Sequence, residues 1–124
     1  MKIGAFLLLF AFAEFASAQT PKCEAPTNNS LLLAEATDLV RALPETVAWS
    51  KSHNYPVAYL GVHQPLVRSG KCFIAIDVYA DRRERLDPWH FFYVNVESKA
   101  ILVVEPVNGE AISLKEWRSN ALPQ

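Results

Sequence analysis

The chain has little of several things that chemistry usually requires. It has only two cysteines, four glycines and one methionine in 124 residues. The two cysteines, Cys23 and Cys72, form no C-x-x-C and sit in no Cys/His cluster, so a structural zinc site or a dithiol redox centre has no ligands here. The glycines at 61, 70 and 109 are scattered and cannot cradle a phosphate, and G-x-S-x-G is missing, so neither a nucleotide loop nor a nucleophile elbow is written in the sequence. Charge of one sign is lacking as well. Twelve Lys and Arg face thirteen Asp and Glu, for a formal net charge of −1, too balanced for a protein that tracks a phosphate backbone. No internal repeat or low-complexity segment is present.

One long apolar run does exist, and it stands at the start. MKIGAFLLLFAFAEFASA places a lysine before an apolar stretch and ends on Ala16-Ser17-Ala18, the layout of a secretory leader cleaved after Ala18. Residues 1–18 are therefore read as a signal peptide and 19–124 as one domain, periplasmic or secreted. No later run approaches the length of a membrane span. In an oxidising compartment a lone pair of cysteines is expected to bridge. A Cys23–Cys72 disulfide would staple the N-terminal arm to a strand and closes a loop of about 50 residues, for which chain entropy allows roughly 4 kcal/mol.

Along the domain, Asn28-Asn29-Ser30 can cap a helix whose Leu32, Ala36, Leu39, Val40 and Leu43 recur on one face. The same tripeptide is a glycosylation acceptor pattern, but the cap explains it. Pro44 suits the first turn of a short second helix carrying Val47 and Trp49 inward. From Pro56 the period changes to that of strands: VAYLGVH, KCFIAIDVYA, WHFFYVNV and KAILVVE, four runs rich in Val, Ile, Phe and Tyr. In the second, Cys72, Ile74, Ile76 and Val78 alternate with Phe73, Ala75, Asp77 and Tyr79; in the third, His90, Phe92, Val94 and Val96 alternate with Trp89, Phe91, Tyr93 and Asn95. Glu97-Ser98-Lys99 fits a tight hairpin and Asn108-Gly109 a turn. Ser113 and Glu116 form a capping box ahead of a terminal helix with Leu114 and Trp117 inward. The expectation is an α+β domain: an N-terminal helix packed on a four-stranded antiparallel sheet, with a short C-terminal helix.

Three histidines, His53, His63 and His90, show no metal-ligand spacing, and no metal or cofactor is expected. The densest polar stretch is Asp81-Arg82-Arg83-Glu84-Arg85-Leu86-Asp87-Pro88, running into Trp89-His90. Such a loop is either a solvated hairpin tip whose charges discourage edge pairing or a partner surface of arginines and aromatics. The neighbouring connection, His63 to Gly70, offers Gln64, Leu66 and Arg68. Alternatively the sheet face forms a pocket to which His90, Tyr79 or Asp77 supplies polar groups.

Helix, strand, loop, strand, Pro-Trp loop, strand is an order that resembles the cystatin-like fold, with Pro88-Trp89 matching the Pro-Trp of the family's second inhibitory loop. Gln64-Pro65-Leu66-Val67-Arg68-Ser69-Gly70 stands where the family carries Gln-x-Val-x-Gly, and departs from it. The stretch HFFYVNVESKAILVVEPVNGEAISLKEWR is similar to the ending of small bacterial periplasmic immunity proteins of cystatin-like or NTF2-like shape. These resemblances imply an exported immunity or inhibitor protein, without catalytic residues of its own. It would block a secreted, envelope-targeting enzyme such as a peptidoglycan hydrolase toxin. The expected contact residues are Gln64, Leu66, Arg68, Arg82, Arg83, Arg85, Trp89 and His90. A protease inhibitor of cystatin type and a ligand-binding or enzymatic NTF2-like domain are the alternatives. Neither nucleic acid nor membrane is an expected partner of the mature chain, and homodimerisation stays open.

Overall fold

The computed structural model describes residues 23–120, so the leader at 1–18 lies outside the described residues. Helix α1 spans Leu31–Arg41 and is capped as its sequence dictates: the Ser30 hydroxyl accepts from the Leu33 amide at 3.1 Å. Its inward face is Leu33, Ala36, Leu39 and Val40, whereas Leu32, expected inside, is exposed. Helix α2, Pro44–Lys51, starts on its proline. It buries Thr46 and packs Trp49 on the core, while Val47 turns outward.

Six strands follow instead of the four expected: β1 Val57–Leu60, β2 Leu66–Arg68, β3 Lys71–Asp81, β4 Leu86–Asn95, β5 Ala100–Val104 and β6 Ala111–Ser113. Helix α3, Leu114–Asn120, closes the domain, its Glu116 amide held by the Ser113 hydroxyl at 3.0 Å. The sheet is antiparallel in the order β1-β3-β4-β5-β6, and β2 also pairs with β3. The extra strands arise because two segments read as connections are themselves paired. Leu66–Arg68 folds back on Lys71–Phe73 through a two-residue turn in which Ser69 (φ 54°) and Gly70 (φ 74°) are both left-handed, the geometry that matches strand twist in a tight hairpin. Ala111–Ser113 pairs with Leu102–Val104 beyond the Asn108-Gly109 turn.

The core lies between helices and sheet: Ala36, Val40 and Leu43 against Ile74, Ile76, Val78, Phe92, Val94, Ile101 and Val103. Of the two alternating sets of β3, it is the one with Ile74, Ile76 and Val78 that meets the helices. The opposite face is covered too, since Phe73, Ala75 and Asp77 are buried. Its cover comes from curvature. Arg68 Nη1 donates to the Ala111 carbonyl at 2.7 Å, so a side chain from the β2–β3 ribbon meets the far edge strand. This contact requires the twisted sheet to curl on its outer face.

Cys23 and Cys72 are joined as a disulfide with 5.3 Å between Cα atoms, across 49 positions of sequence. The bridge fixes the N-terminal arm to the start of β3, as the cysteine count implied.

Candidate functional site

Two places gather polar groups, and the first is the hairpin between β3 and β4. The Arg82 amide donates to the Arg85 carbonyl at 3.0 Å and the Arg83 amide to Asp81 Oδ1 at 2.9 Å. These bonds hold Arg83 at φ 72°, a left-handed conformation that costs a non-glycine residue on the order of 1 kcal/mol. The three arginines then differ. Arg82 donates to Asp87 Oδ2 at 3.0 Å and to the Tyr55 hydroxyl at 3.2 Å, and its guanidinium lies 4.7 Å from the Tyr55 ring centre. Arg85 donates to Asp87 Oδ1 at 2.8 Å. Asp87 thus receives both guanidiniums, which hold its carboxyl below the usual carboxylate range. Arg83 makes no side-chain ion pair among the described residues. A shallow cavity of about 340 Å³ lies among Tyr55 and residues 82–85. Tyr55 had no signal in the sequence, because the α2–β1 connection that brings it to the hairpin is distant in the chain.

Trp89 and His90 are not on this surface. Phe91 pairs with Asp77 and Pro88 with Tyr79, so Trp89 and His90 together oppose the single residue Val78. This is a bulge, and it turns two successive side chains toward one face. Trp89 therefore leaves the set it shares with Phe91 and Tyr93 under strict alternation and stacks on Trp49, with centroids 4.6 Å apart and planes at 7°. His90 meets the Trp117 ring at 5.1 Å, and burial pushes its pKa down. Pro88-Trp89 lies inside β4 rather than in a loop, and the tryptophan packs on the core while remaining half-buried.

Of the remaining expected contact residues, Leu66 is half-buried in β2 opposite Phe73, and Arg68 is committed to Ala111. Only Gln64 stands exposed in a connection. That connection interrupts an edge: β1 and β2 pair with successive stretches of β3, and five residues, Gly61 to Pro65, span the three from Ile74 to Ile76. Gly61 gives room where the detour passes the core, since a Cβ there would come 2.9 Å from Leu33 Cδ1 and 3.2 Å from the Ala75 carbonyl oxygen.

The detour builds the second polar place. His63 Nδ1 lies 2.5 Å from Asp77 Oδ2, with the imidazole 53% exposed and the carboxylate 1%. Oδ2 is buried, and this contact leaves it without a well-formed hydrogen bond. Burial pushes the Asp77 pKa up, and the neighbouring imidazole pulls it back in part. Tyr79 is also pushed up, by burial first and then by the Asp77 charge. A cavity of about 110 Å³ opens beside the pair, walled by Phe91, Phe92, Tyr93 and Val104 and closed by Gly109 of the β5–β6 turn. An aspartate inside the β-branched run KCFIAIDVYA was the visible signal; its partner, fourteen residues away, was not.

His53, His63 and His90 do not converge. Among the described residues no group of three or more His, Cys, Asp or Glu is placed to hold a metal, and no helix is long and apolar enough to cross a membrane. No protein-family model, curated protein or solved structure matches this chain.

Proposed function

We propose that this protein is exported and acts as an immunity or inhibitor protein, binding and blocking a secreted, envelope-targeting enzyme through the tip of the β3–β4 hairpin. The observation that carries the reading is the ordering of the arginines: Arg82 and Arg85 are clamped by Asp87 and Tyr55 while Arg83 is held in a left-handed conformation with its guanidinium free. Backbone strain and fixed side chains at an exposed tip are expected of a binding site, because ordering before contact lowers the entropy cost of association. Arginine beside tyrosine is also the composition that dominates interface energetics. Arg82, Arg83, Arg85 and Tyr55 are the proposed anchors, with Gln64 on the neighbouring detour, and the target is an acidic surface or cleft. The leader pattern and the disulfide support export. Helices laid over one face of an antiparallel sheet agree with the cystatin-like or NTF2-like shape that the resemblance implies.

The test uses the chain from Gln19 with its disulfide formed, as bait in envelope and secreted fractions, followed by an activity assay of any hydrolase retained. Stoichiometric capture with loss of the hydrolase's activity supports the reading, provided that Arg82→Ala/Arg83→Ala/Arg85→Ala abolishes both with an unchanged melting temperature. Capture that survives the triple substitution, or no inhibition, overturns it.

The competing class, a small-molecule-binding domain, has one specific observation in its favour: the cavity over Asp77.

A further inference from the structure

A carboxylate in the middle of a buried strand is expensive. For Asp77, desolvation outweighs what the single contact to the half-exposed His63 imidazole returns. An apolar residue at position 77 would serve the fold better, since its neighbours Phe73 and Ala75 on the same face are apolar and buried. The cavity next to Asp77 shows what the charge is for. On this face of β4 its lining is Phe91 and Tyr93, with Val104 of β5 beside them, which suits aromatic rings to a cation and the methyl groups of valine to an alkyl stem. Its floor is anionic, which excludes phosphate and carboxylate ligands. At about 110 Å³, and open on one side, it has room for an ammonium head and a few methylenes.

We propose that the pit formed by Asp77, Phe91, Tyr93 and Val104 is a binding site for an alkylammonium group, with His63 as the side chain at its mouth that shares or yields the Asp77 carboxylate. The ammonium donates to Oδ2, the oxygen that lacks a well-formed hydrogen bond, and its stem lies against Val104 and Phe91. His63 is held by Phe91 at 5.6 Å between ring centres on one side and by Asp77 on the other. Entry of a ligand therefore moves an exposed imidazole and leaves the core undisturbed. This site is independent of the arginine hairpin and stands or falls separately from it.

The probe is n-butylammonium, titrated into the oxidised domain with the aromatic proton signals of Phe91 and Tyr93 as readout and n-butanol as the neutral control. Saturable shifts with the amine at millimolar concentration, about −4 kcal/mol of binding, and none with the alcohol are expected. Asp77→Asn should weaken the amine at least tenfold. His63→Ala should tighten it, because the carboxylate is no longer shared, and this variant tests the site even if Asp77→Asn does not fold. Equal response to alcohol and amine, no response to the amine, or indifference to His63→Ala each overturns the proposal. N-acetyl-lysine amide separates the sources: binding by it as well assigns the pit to a lysine side chain of a partner protein, and binding by butylammonium alone assigns it to a free amine.

Discussion

Trp89 separates two views of this protein, because the residue pattern makes it a partner anchor and the bulge makes it a packing residue. The test is Trp89→Ala. The indole lies flat on Trp49 at 4.6 Å, meets Phe92 at 6.0 Å and Trp117 at 6.5 Å, and packs against the core while remaining only partly buried. Truncating a buried Trp costs about 3–5 kcal/mol. Partial exposure places this one near the lower end, about 3 kcal/mol, of which the stacked pair contributes roughly 1. In a domain of this size 1 kcal/mol moves the melting temperature by roughly 4–8 °C, so a fall of more than about 12 °C is expected. Urea and thermal melts followed by far-ultraviolet circular dichroism measure it directly, and the loss of the Trp49 partner should shift the emission of the remaining tryptophans. A change below about 1 kcal/mol would refute the packing argument. A stable Trp89→Ala protein that no longer captured its partner would restore the tryptophan to the surface.

Further outcomes follow from other contacts. Thiol alkylation should label neither Cys23 nor Cys72 until reductant is added, and reduction should lower stability by up to about 4 kcal/mol for a loop of this length; immediate labelling would show the bridge unformed. Because burial raises the Asp77 pKa, the folded state holds that proton more tightly than the unfolded one. The Asp77 contribution is therefore greatest below the unfolded value near pH 4 and is lost as pH rises through the folded value; urea midpoints across this range should show that slope in the wild type and not in Asp77→Asn. Gly61→Ala should cost about 1–2 kcal/mol, since its Cβ meets Leu33 and the Ala75 carbonyl, and an unchanged melt would mean that the detour is free to move. Arg83→Gly should raise stability by up to about 1 kcal/mol by releasing the left-handed strain, while weakening capture of the partner; a less stable variant would show that the arginine contributes more than it strains.

What the chain alone determined is what depends on near neighbours. Ser30 and Ser113 cap because a hydroxyl reaches an amide three residues on, Pro44 opens a helix because it lacks the N–H that a first turn does not use, and Asn108-Gly109 turns because Gly109 can take φ 75°. The alternation of β3 separated its two faces for the same reason, leaving to the packing which one meets the helices, and the lone cysteine pair named its own bridge. What the tertiary structure decided is what depends on residues brought together from far along the chain. The bulge at Trp89 and His90 exists only as a mismatch against Val78, and one extra residue reverses the side a tryptophan faces. Likewise β2 and β6 are too short to announce themselves and gain strand character from β3 and β5. Curling of the sheet, which carries Arg68 to Ala111 and covers its outer face, is a sum of small twists that no local window contains. The meeting of His63 with Asp77 has the same origin: a five-residue detour crosses three residues of strand, and the imbalance delivers an imidazole to a buried carboxylate.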